Sequence, residues 1–115
     1  MKVLVIDDDK DVRELISANL MTEGYEVLEA EDGIQGAKKA TSQNPELIVT
    51  DIRMPGNGGL WLISQVQEHA PEIPVIVISG HPEARSKACH LGAQSFIDKP
   101  FRSDLLLEEI RRICG

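Results

Sequence analysis

Three stretches of the chain are apolar almost without interruption, and we interpret them as buried strands. They are residues 2–7, 46–51 and 73–79, which read KVLVID, ELIVTD and IPVIVIS. Continuous apolar runs of this length are typical of strands that are covered on both faces, as in a parallel sheet. Residues 25–30 and 94–98 mix polar and apolar side chains, so we expect these two strands at the edges of the same sheet.

Between the strands, apolar residues recur at helical spacing. The residues that define the first, third and fifth helices are, in order, Val12, Leu15, Ile16 and Leu20; Leu60, Ile63 and Val66; and Leu106, Ile110 and Ile113. Residues 33–43 and 83–91 supply the second and fourth helices, and the fourth has so few apolar positions that we expect it to be weakly anchored. Five alternations of strand and helix predict an α/β fold, a doubly wound five-stranded parallel sheet with helices on both faces.

Composition and charge exclude several classes of function. The 115 residues fit one domain, covering 1–115, because a second core would have no room. Twelve Lys and Arg against 19 Asp and Glu give a net charge of -7, so direct binding to a nucleic-acid backbone is not expected. Apolar runs are far shorter than the roughly 18 to 20 residues that span a bilayer, and we expect a cytoplasmic protein without membrane contact.

Polar side chains gather where the predicted strands end, which is the edge of such a sheet that binds ligands. The first strand runs into Asp7 and Asp8, the third ends in Asp51, the fourth ends in Ser79, and Lys99 follows the fifth. Carboxylates ~4 to 6 Å apart repel one another by roughly 1 to 4 kcal/mol per pair, so a cation is expected among them. Mg²⁺ prefers oxygen ligands and often binds carboxylates together with a phosphate. Beside such an ion, Asp51 could act as a nucleophile toward phosphorus.

Each of these side chains also has a purely structural interpretation. Asp9, the third acid of the run, is best explained as the capping residue of the first helix. One helix end needs one capping residue, so capping does not explain Asp7 and Asp8. Asp51 by itself could open the Pro/Gly-rich turn RMPGNGG, and Lys99 by itself could be an exposed loop residue. Their convergence at one sheet edge favours a functional site.

The motifs together resemble the receiver domain of bacterial two-component response regulators, over essentially all 115 positions. The matching pieces are VLVIDDD, DIRMPG after ELIVT, VIVISGH, LGAQSFIDKPF and a final amphipathic helix from about residue 103. The resemblance implies a flavodoxin-like fold with five helices and strand order 2-1-3-4-5. Gly58, where many relatives carry an acid, and the extra acid Asp9 depart from the family pattern in loop regions outside the site.

By position, the resemblance implies that Asp51 accepts a phosphoryl group. Asp7 and Asp8 would hold Mg²⁺ together with Asp51 and the backbone carbonyl of Arg53. The phosphoryl donor would be a sensor histidine kinase or a phosphotransfer protein. The chain would catalyse only its own phosphorylation and dephosphorylation, so we expect a signalling domain and not an enzyme with an external substrate.

Other family positions concern the response to phosphorylation. Ser79 and Lys99 would contact the phosphoryl group, and Phe96 would be the switch aromatic that moves inward as Ser79 shifts. We expect Phe96 to be partly exposed, because its strand is an edge strand with polar neighbours. Arg53 and His81, two residues beyond the phosphoacceptor and the hydroxyl residue, would tune the lifetime of the phosphoryl group by shielding it from water.

The resemblance also bears on output. The surface formed by the fourth helix, fifth strand and fifth helix would carry the signal to an effector domain or protein, and a homodimer formed on phosphorylation is a further expectation from the resemblance. Because the sequence ends directly after the fifth helical pattern, we expect either a single-domain regulator or a receiver excised from a longer protein.

Three other functions compete with this one. A small Mg²⁺-dependent phosphatase would also use an aspartyl-phosphate, and DDDKD contains the Asp-x-Asp of such enzymes, but Asp51 would then have no role. A flavodoxin-type flavin module needs hydroxyls and glycines around a phosphate, which three acids would repel. A degenerate receiver that serves only as a docking surface would require a broken site, whereas every expected residue is in place.

Overall fold

The computed structural model describes residues 1–54 and 58–115, and strands and helices alternate along it as predicted. The strands are β1 Lys2–Ile6, β2 Glu26–Ala30, β3 Leu47–Thr50, β4 Val75–Ser79 and β5 Ser95–Asp98; the helices are α1 Lys10–Thr22, α2 Gly33–Ser42, α3 Gly59–His69, α4 Arg85–Leu91 and α5 Ser103–Cys114. Each predicted strand contains the observed one. The middle of the predicted Pro/Gly-rich turn, residues 55–57, lies outside the described residues.

The five strands form one parallel sheet in the order β2-β1-β3-β4-β5, which confirms the predicted doubly wound, flavodoxin-like topology. All residues of β3 and β4 are buried, because these central strands are covered on both faces. In contrast, β2 begins with an exposed residue and is only partly buried over most of its length, as expected of an edge strand. None of the helices in the described ranges is long and apolar enough to cross a lipid bilayer.

Two separate hydrophobic layers cover the sheet. Successive side chains of a strand point to opposite faces, so Val3 and Val5 pack in one layer while Leu4 and Ile6 pack in the other. The first layer is completed by α1 and α5 through Ile16, Leu20, Leu106 and Ile110. The second is completed by α2, α3 and α4 through Ala40, Leu62, Ile63, Val66 and Ala88. The polar residues at the carboxyl ends of the strands, such as Asp7, Asp51 and Ser79, belong to neither layer.

The first helix begins as the sequence predicted but buries a different face. Asp9 caps it, because its Oδ1 accepts hydrogen bonds from the backbone N–H groups of Asp11 and Val12 at 3.0 and 3.3 Å. The inclusion of Leu15 in the apolar stripe was wrong, since Leu15 is 55% exposed. Ser17 is buried beside Ile16 instead. The buried face of α1 therefore keeps Ile16 and Leu20 but turns from Leu15 toward Ser17.

The fourth helix is short and lightly packed, in agreement with the sequence. The predicted segment 83–91 divides into a 3₁₀ turn, Pro82–Ala84, and the seven-residue α4. Ala88 is the buried residue of this helix. A helix that buries so little apolar surface is easily displaced, because burial is the main source of its attachment.

Candidate functional site

Three carboxylates meet at the carboxyl edge of the sheet. One side-chain oxygen from each of Asp7, Asp8 and Asp51 lies within 4.8 Å of the other two. Two strands, β1 and β3, end one residue earlier than predicted, but the ladder continues past them: the Asp7 N–H donates to the Ala30 carbonyl at 3.2 Å, and the Asp51 N–H donates to the Ile6 carbonyl at 3.1 Å. These backbone bonds hold Asp7 and Asp51 side by side on neighbouring strands.

A lysine from the far side of the sheet completes this cluster. Lys99 follows β5, and its Nζ lies 3.1 Å from Asp51 Oδ2 and 3.4 Å from Asp7 Oδ2. Its backbone N–H donates to the Ser79 carbonyl at 2.8 Å, which ties the end of β5 to the end of β4. Burial lowers the pKa of Lys99, but attraction by Asp51 and Asp7 outweighs this effect and leaves the pKa raised. The ammonium is therefore a fixed positive charge at physiological pH.

The buried carboxyl of Asp7 is held in an unfavourable environment. Its residue is 2% exposed, and burial raises its pKa above the ordinary value. A hydrogen bond from the Asp9 N–H at 2.9 Å and the charge of Lys99 oppose this shift, while the charge of Asp51 adds to it. The pKa of Asp7 is raised overall, so Lys99 alone does not offset the cost of burying the ionised Asp7 carboxylate.

The donor set fits a hard divalent cation. Three carboxylates and one ammonium leave a local charge of about -2, which a divalent ion would neutralise. Asp8 is exposed and the Asp51 side chain is 11% exposed, so the cluster opens to solvent and leaves room for water ligands. Mg²⁺ keeps several waters and binds through carboxylate oxygens, so the residues present match its requirements. The Arg53 carbonyl stays a proposed ligand.

We expect Asp8→Ala to weaken Mg²⁺ binding by about tenfold or more, because it removes a carboxylate oxygen from the cluster. Isothermal titration calorimetry with MgCl₂ measures the change. Asp9→Asn is the matched control, since it removes a neighbouring charge while asparagine still caps α1. An equal loss of affinity in both variants would show that only the overall charge matters and that Asp8 does not ligate the ion.

Ser79 lies at the end of β4 with its side chain buried. Its Oγ accepts a hydrogen bond from the His81 N–H at 3.0 Å, which fixes the turn that leaves the strand. A hydroxyl that accepts one bond can still donate its own hydrogen to another acceptor. The predicted contact of Ser79 with a phosphoryl oxygen is compatible with this arrangement and stays a proposal.

The expectation that Phe96 is partly exposed was wrong. Phe96 is only 6% exposed, because Arg85 at the start of α4 covers it. The guanidinium carbon lies 4.8 Å from the ring centroid, Nη1 donates to the Phe96 carbonyl at 3.1 Å, and Nη2 donates to Asp98 Oδ2 at 3.0 Å. The strand's own sequence could not reveal a cover that comes from the preceding helix. The aromatic ring therefore lies inward in this structure.

Sequence reasoning also missed Arg13, which supports the acidic pair from α1. Its side chain is 14% exposed, Nη1 donates to the Asp7 carbonyl at 2.7 Å, and Nε lies 3.0 Å from Glu29 Oε1. The Asp7 carbonyl belongs to the peptide group that joins Asp7 to Asp8, so this bond orients both residues. An arginine in the first turn of the helix that follows the acids was the available signal.

The two residues predicted to tune phosphoryl lifetime come together around a third. Arg53 Nη2 and His81 Nδ1 lie 3.4 and 3.5 Å from the same oxygen, Oε1 of Glu83. The loop after β3 and the loop after β4 are thus linked at the surface of the site. Sequence reasoning did not identify Glu83, because nothing in its immediate neighbours indicates that it faces the β3 loop.

The sheet order and the acidic cluster at its carboxyl edge define a domain of the class that the motifs resemble. A model of the response regulator receiver domain matches residues 3–111, and the chain belongs to this family. The chain is 38% identical over 113 residues to the C4-dicarboxylate transport transcriptional regulatory protein DctD of Pseudomonas aeruginosa, covering 96% of this chain and 24% of the relative. It thus spans about a quarter of the length of the first such relatives.

Solved structures agree with this assignment. The receiver domain of NtrX from Brucella abortus superposes with a TM-score of 0.90 at 35% identity, with 96% of this chain and 95% of that chain covered. The response regulator TrrA from Thermotoga maritima, in complex with Mg²⁺-BeF, gives a TM-score of 0.90 at 32% identity, with 96% of both chains covered. Similarity therefore extends over the whole fold.

Proposed function

We propose that this chain is a phosphoacceptor switch in which a sensor histidine kinase or a phosphotransfer protein donates a phosphoryl group to Asp51. The observation that carries the proposal is the position of Asp51: its carboxylate lies at an open sheet edge, beside two further acids and the ammonium of Lys99. An acid that served only to open a turn would not need these neighbours.

The surroundings of Asp51 suit nucleophilic attack on phosphorus. Its Oδ1 accepts a hydrogen bond from the Ile52 N–H at 2.7 Å, and its Oδ2 faces Lys99 Nζ at 3.1 Å, so the carboxylate is held in one orientation. One of its oxygens forms a bond to phosphorus while the P–N bond to the donor histidine breaks, and the electron pair leaves with the imidazole. Bound Mg²⁺ would neutralise charge on the carboxylates and on the transferred phosphoryl group.

Once Asp51 is phosphorylated, its neighbours bind the new anion. The ammonium of Lys99 loses a carboxylate partner and donates to a phosphoryl oxygen, and the Ser79 hydroxyl donates to a second oxygen. For Ser79 to do so, the loop after β4 adjusts, and this loop leads directly into the lightly packed α4. The change reaches the α4, β5 and α5 face, where Phe96 lies.

This face would pass the signal on. We propose that it contacts an effector domain or an effector protein, that two copies of the chain can associate through phosphorylation, and that the protein works in the cytoplasm without contacting DNA itself. The net charge of -7 supports the last point, because it opposes binding to a phosphate backbone.

The proposal is tested by incubating the protein with acetyl phosphate and following its intact mass. We expect one phosphoryl group per chain in the presence of Mg²⁺ and labelling close to background when EDTA removes the metal. Labelling that is independent of metal would contradict the proposed site. Sustained turnover of a small phosphomonoester without accumulation of the labelled protein would support the phosphatase alternative instead.

A further inference from the structure

Glu83 joins the two loops that flank Asp51. Arg53 lies two residues after Asp51, and His81 lies two residues after Ser79. Both approach Oε1 of Glu83, at 3.4 Å from Arg53 Nη2 and 3.5 Å from His81 Nδ1. A single carboxylate oxygen therefore connects side chains from the β3 and β4 loops.

The backbone of Glu83 is held by a short turn. Glu83 is part of the 3₁₀ turn Pro82–Ala84, which is closed by a hydrogen bond from the Ala84 N–H to the His81 carbonyl at 3.0 Å. Proline at the start of this turn restricts its backbone further. The Arg53 side chain is 66% exposed, and a long exposed side chain without a partner samples many rotamers. The Glu83 side chain is itself 64% exposed, so the turn fixes its backbone, and the contact between the two side chains restrains both of them.

We propose that Glu83 is a positioning residue that lengthens the lifetime of the phosphoryl group by holding Arg53 and His81 beside Asp51. This inference rests on the proposed function. Loss of the group requires water to attack phosphorus from the side opposite the Asp51 oxygen. The P–O bond to Asp51 then breaks with its electron pair staying on the carboxylate, and the products are hydrogen phosphate and one proton. Bulky side chains held beside the phosphoryl group obstruct that approach.

The effect of Glu83 on the rate of hydrolysis should be moderate, because its contacts with Arg53 and His81 are exposed to solvent. Ion pairs between exposed side chains are weak and are screened by salt. We therefore expect Glu83→Gln to accelerate hydrolysis of the phosphoryl group by about two- to fivefold at low ionic strength. Higher salt should raise the hydrolysis rate of the original protein toward that of the variant. The hydrolysis rate of the variant itself should change much less.

The experiment follows first-order loss of the label after phosphorylated protein is separated from acetyl phosphate, in Mg²⁺ buffer at constant pH. Glu83→Gln is compared with Glu109→Gln, which removes an equal charge from an ion pair with Arg112 on α5. A second comparison introduces Glu83→Gln into a chain that already carries Arg53→Gln and His81→Asn. If Glu83 acts by holding these two side chains, the substitution should have no further effect there.

Three kinetic results would overturn the inference. They are an unchanged rate in Glu83→Gln, a slower rate, or an equal acceleration in the background that lacks both partners. A fall in Mg²⁺ affinity that matches the change in rate would also overturn it, because Glu83 would then act through the metal. Failure of the original protein to become labelled at all would instead refute the proposed function, so the two failures can be distinguished.

Discussion

Asp51→Asn should abolish phosphorylation by acetyl phosphate. Asparagine has nearly the same shape as aspartate, but its amide oxygen is neutral and a poor nucleophile. The intact mass of the variant should therefore stay that of the unlabelled chain in Mg²⁺ buffer, where the original protein gains one phosphoryl group. Labelling at the original rate would refute Asp51 as the phosphoacceptor.

Two controls separate this chemistry from damage to the fold. Asp9→Asn should label normally, since Asp9 caps α1 and asparagine can do the same. The thermal unfolding midpoint of Asp51→Asn should equal or exceed that of the original protein. The substitution removes one of three mutually repelling carboxylates, and Lys99 keeps Asp7 as a partner. Thermal unfolding monitored by circular dichroism in metal-free buffer measures this. A large loss of stability would mean that lost labelling reports misfolding.

Gly59→Ala should destabilise the protein by at least about 2 kcal/mol. A Cβ at this position would lie 2.1 Å from the Asp51 carbonyl oxygen and 2.9 Å from the Ile52 Cα. These are backbone atoms of the segment that carries Asp51, the proposed phosphoacceptor, so the clash is relieved only by moving that segment, at a cost of ~3 kcal/mol. The better helix propensity of alanine returns only about 1 kcal/mol. Urea denaturation measures the difference.

Gly80→Ala is the matched control for this substitution. A Cβ on Gly80 would have its nearest contact at 3.9 Å, with the Cβ of Lys99, which is an ordinary packing distance. We expect its free energy of unfolding to change by less than about 1 kcal/mol. Comparable stability of the two variants would contradict the close approach of α3 to the backbone after β3.

Gly59→Ala should also be labelled more slowly by acetyl phosphate, because the shift of the backbone after β3 displaces Asp51.

Most of the fold could be predicted from sequence because its signals are local. Continuous apolar runs mark β1, β3 and β4 as strands covered on both sides, and the mixed composition of β2 marks an edge. Errors arose where tertiary packing decides the outcome. Leu15 has helical spacing relative to its apolar neighbours, yet α1 turns Ser17 toward the core and leaves Leu15 in solvent. Spacing identifies a helix more reliably than it defines which side of the helix is buried.

The candidate site could be predicted from the sequence to about the same extent as the fold. Parallel strands end at one edge, so the residues that follow β1, β3 and β5 had to approach one another, and Asp7, Asp51 and Lys99 do. Side chains that reach the site from helices or turns could not be identified in this way, because they do not follow a strand end. Arg85 covers Phe96 from α4, and Glu83 reaches Arg53 across 30 positions of sequence. These contacts depend on side-chain rotamers within the assembled fold, which apolar spacing does not encode.

The ion pairs of Lys99 join residues that are far apart in sequence, with 92 positions separating it from Asp7 and 48 from Asp51. A ribosome that has completed α4 has therefore produced every acid of the cluster but not the amine that lies between two of them. Until β5 emerges and docks beside β4, the nascent chain carries an excess of negative charge at this edge and lacks a residue proposed to bind the phosphoryl group. The proposed capacity to accept a phosphoryl group is thus acquired only when the last strand of this sheet is added.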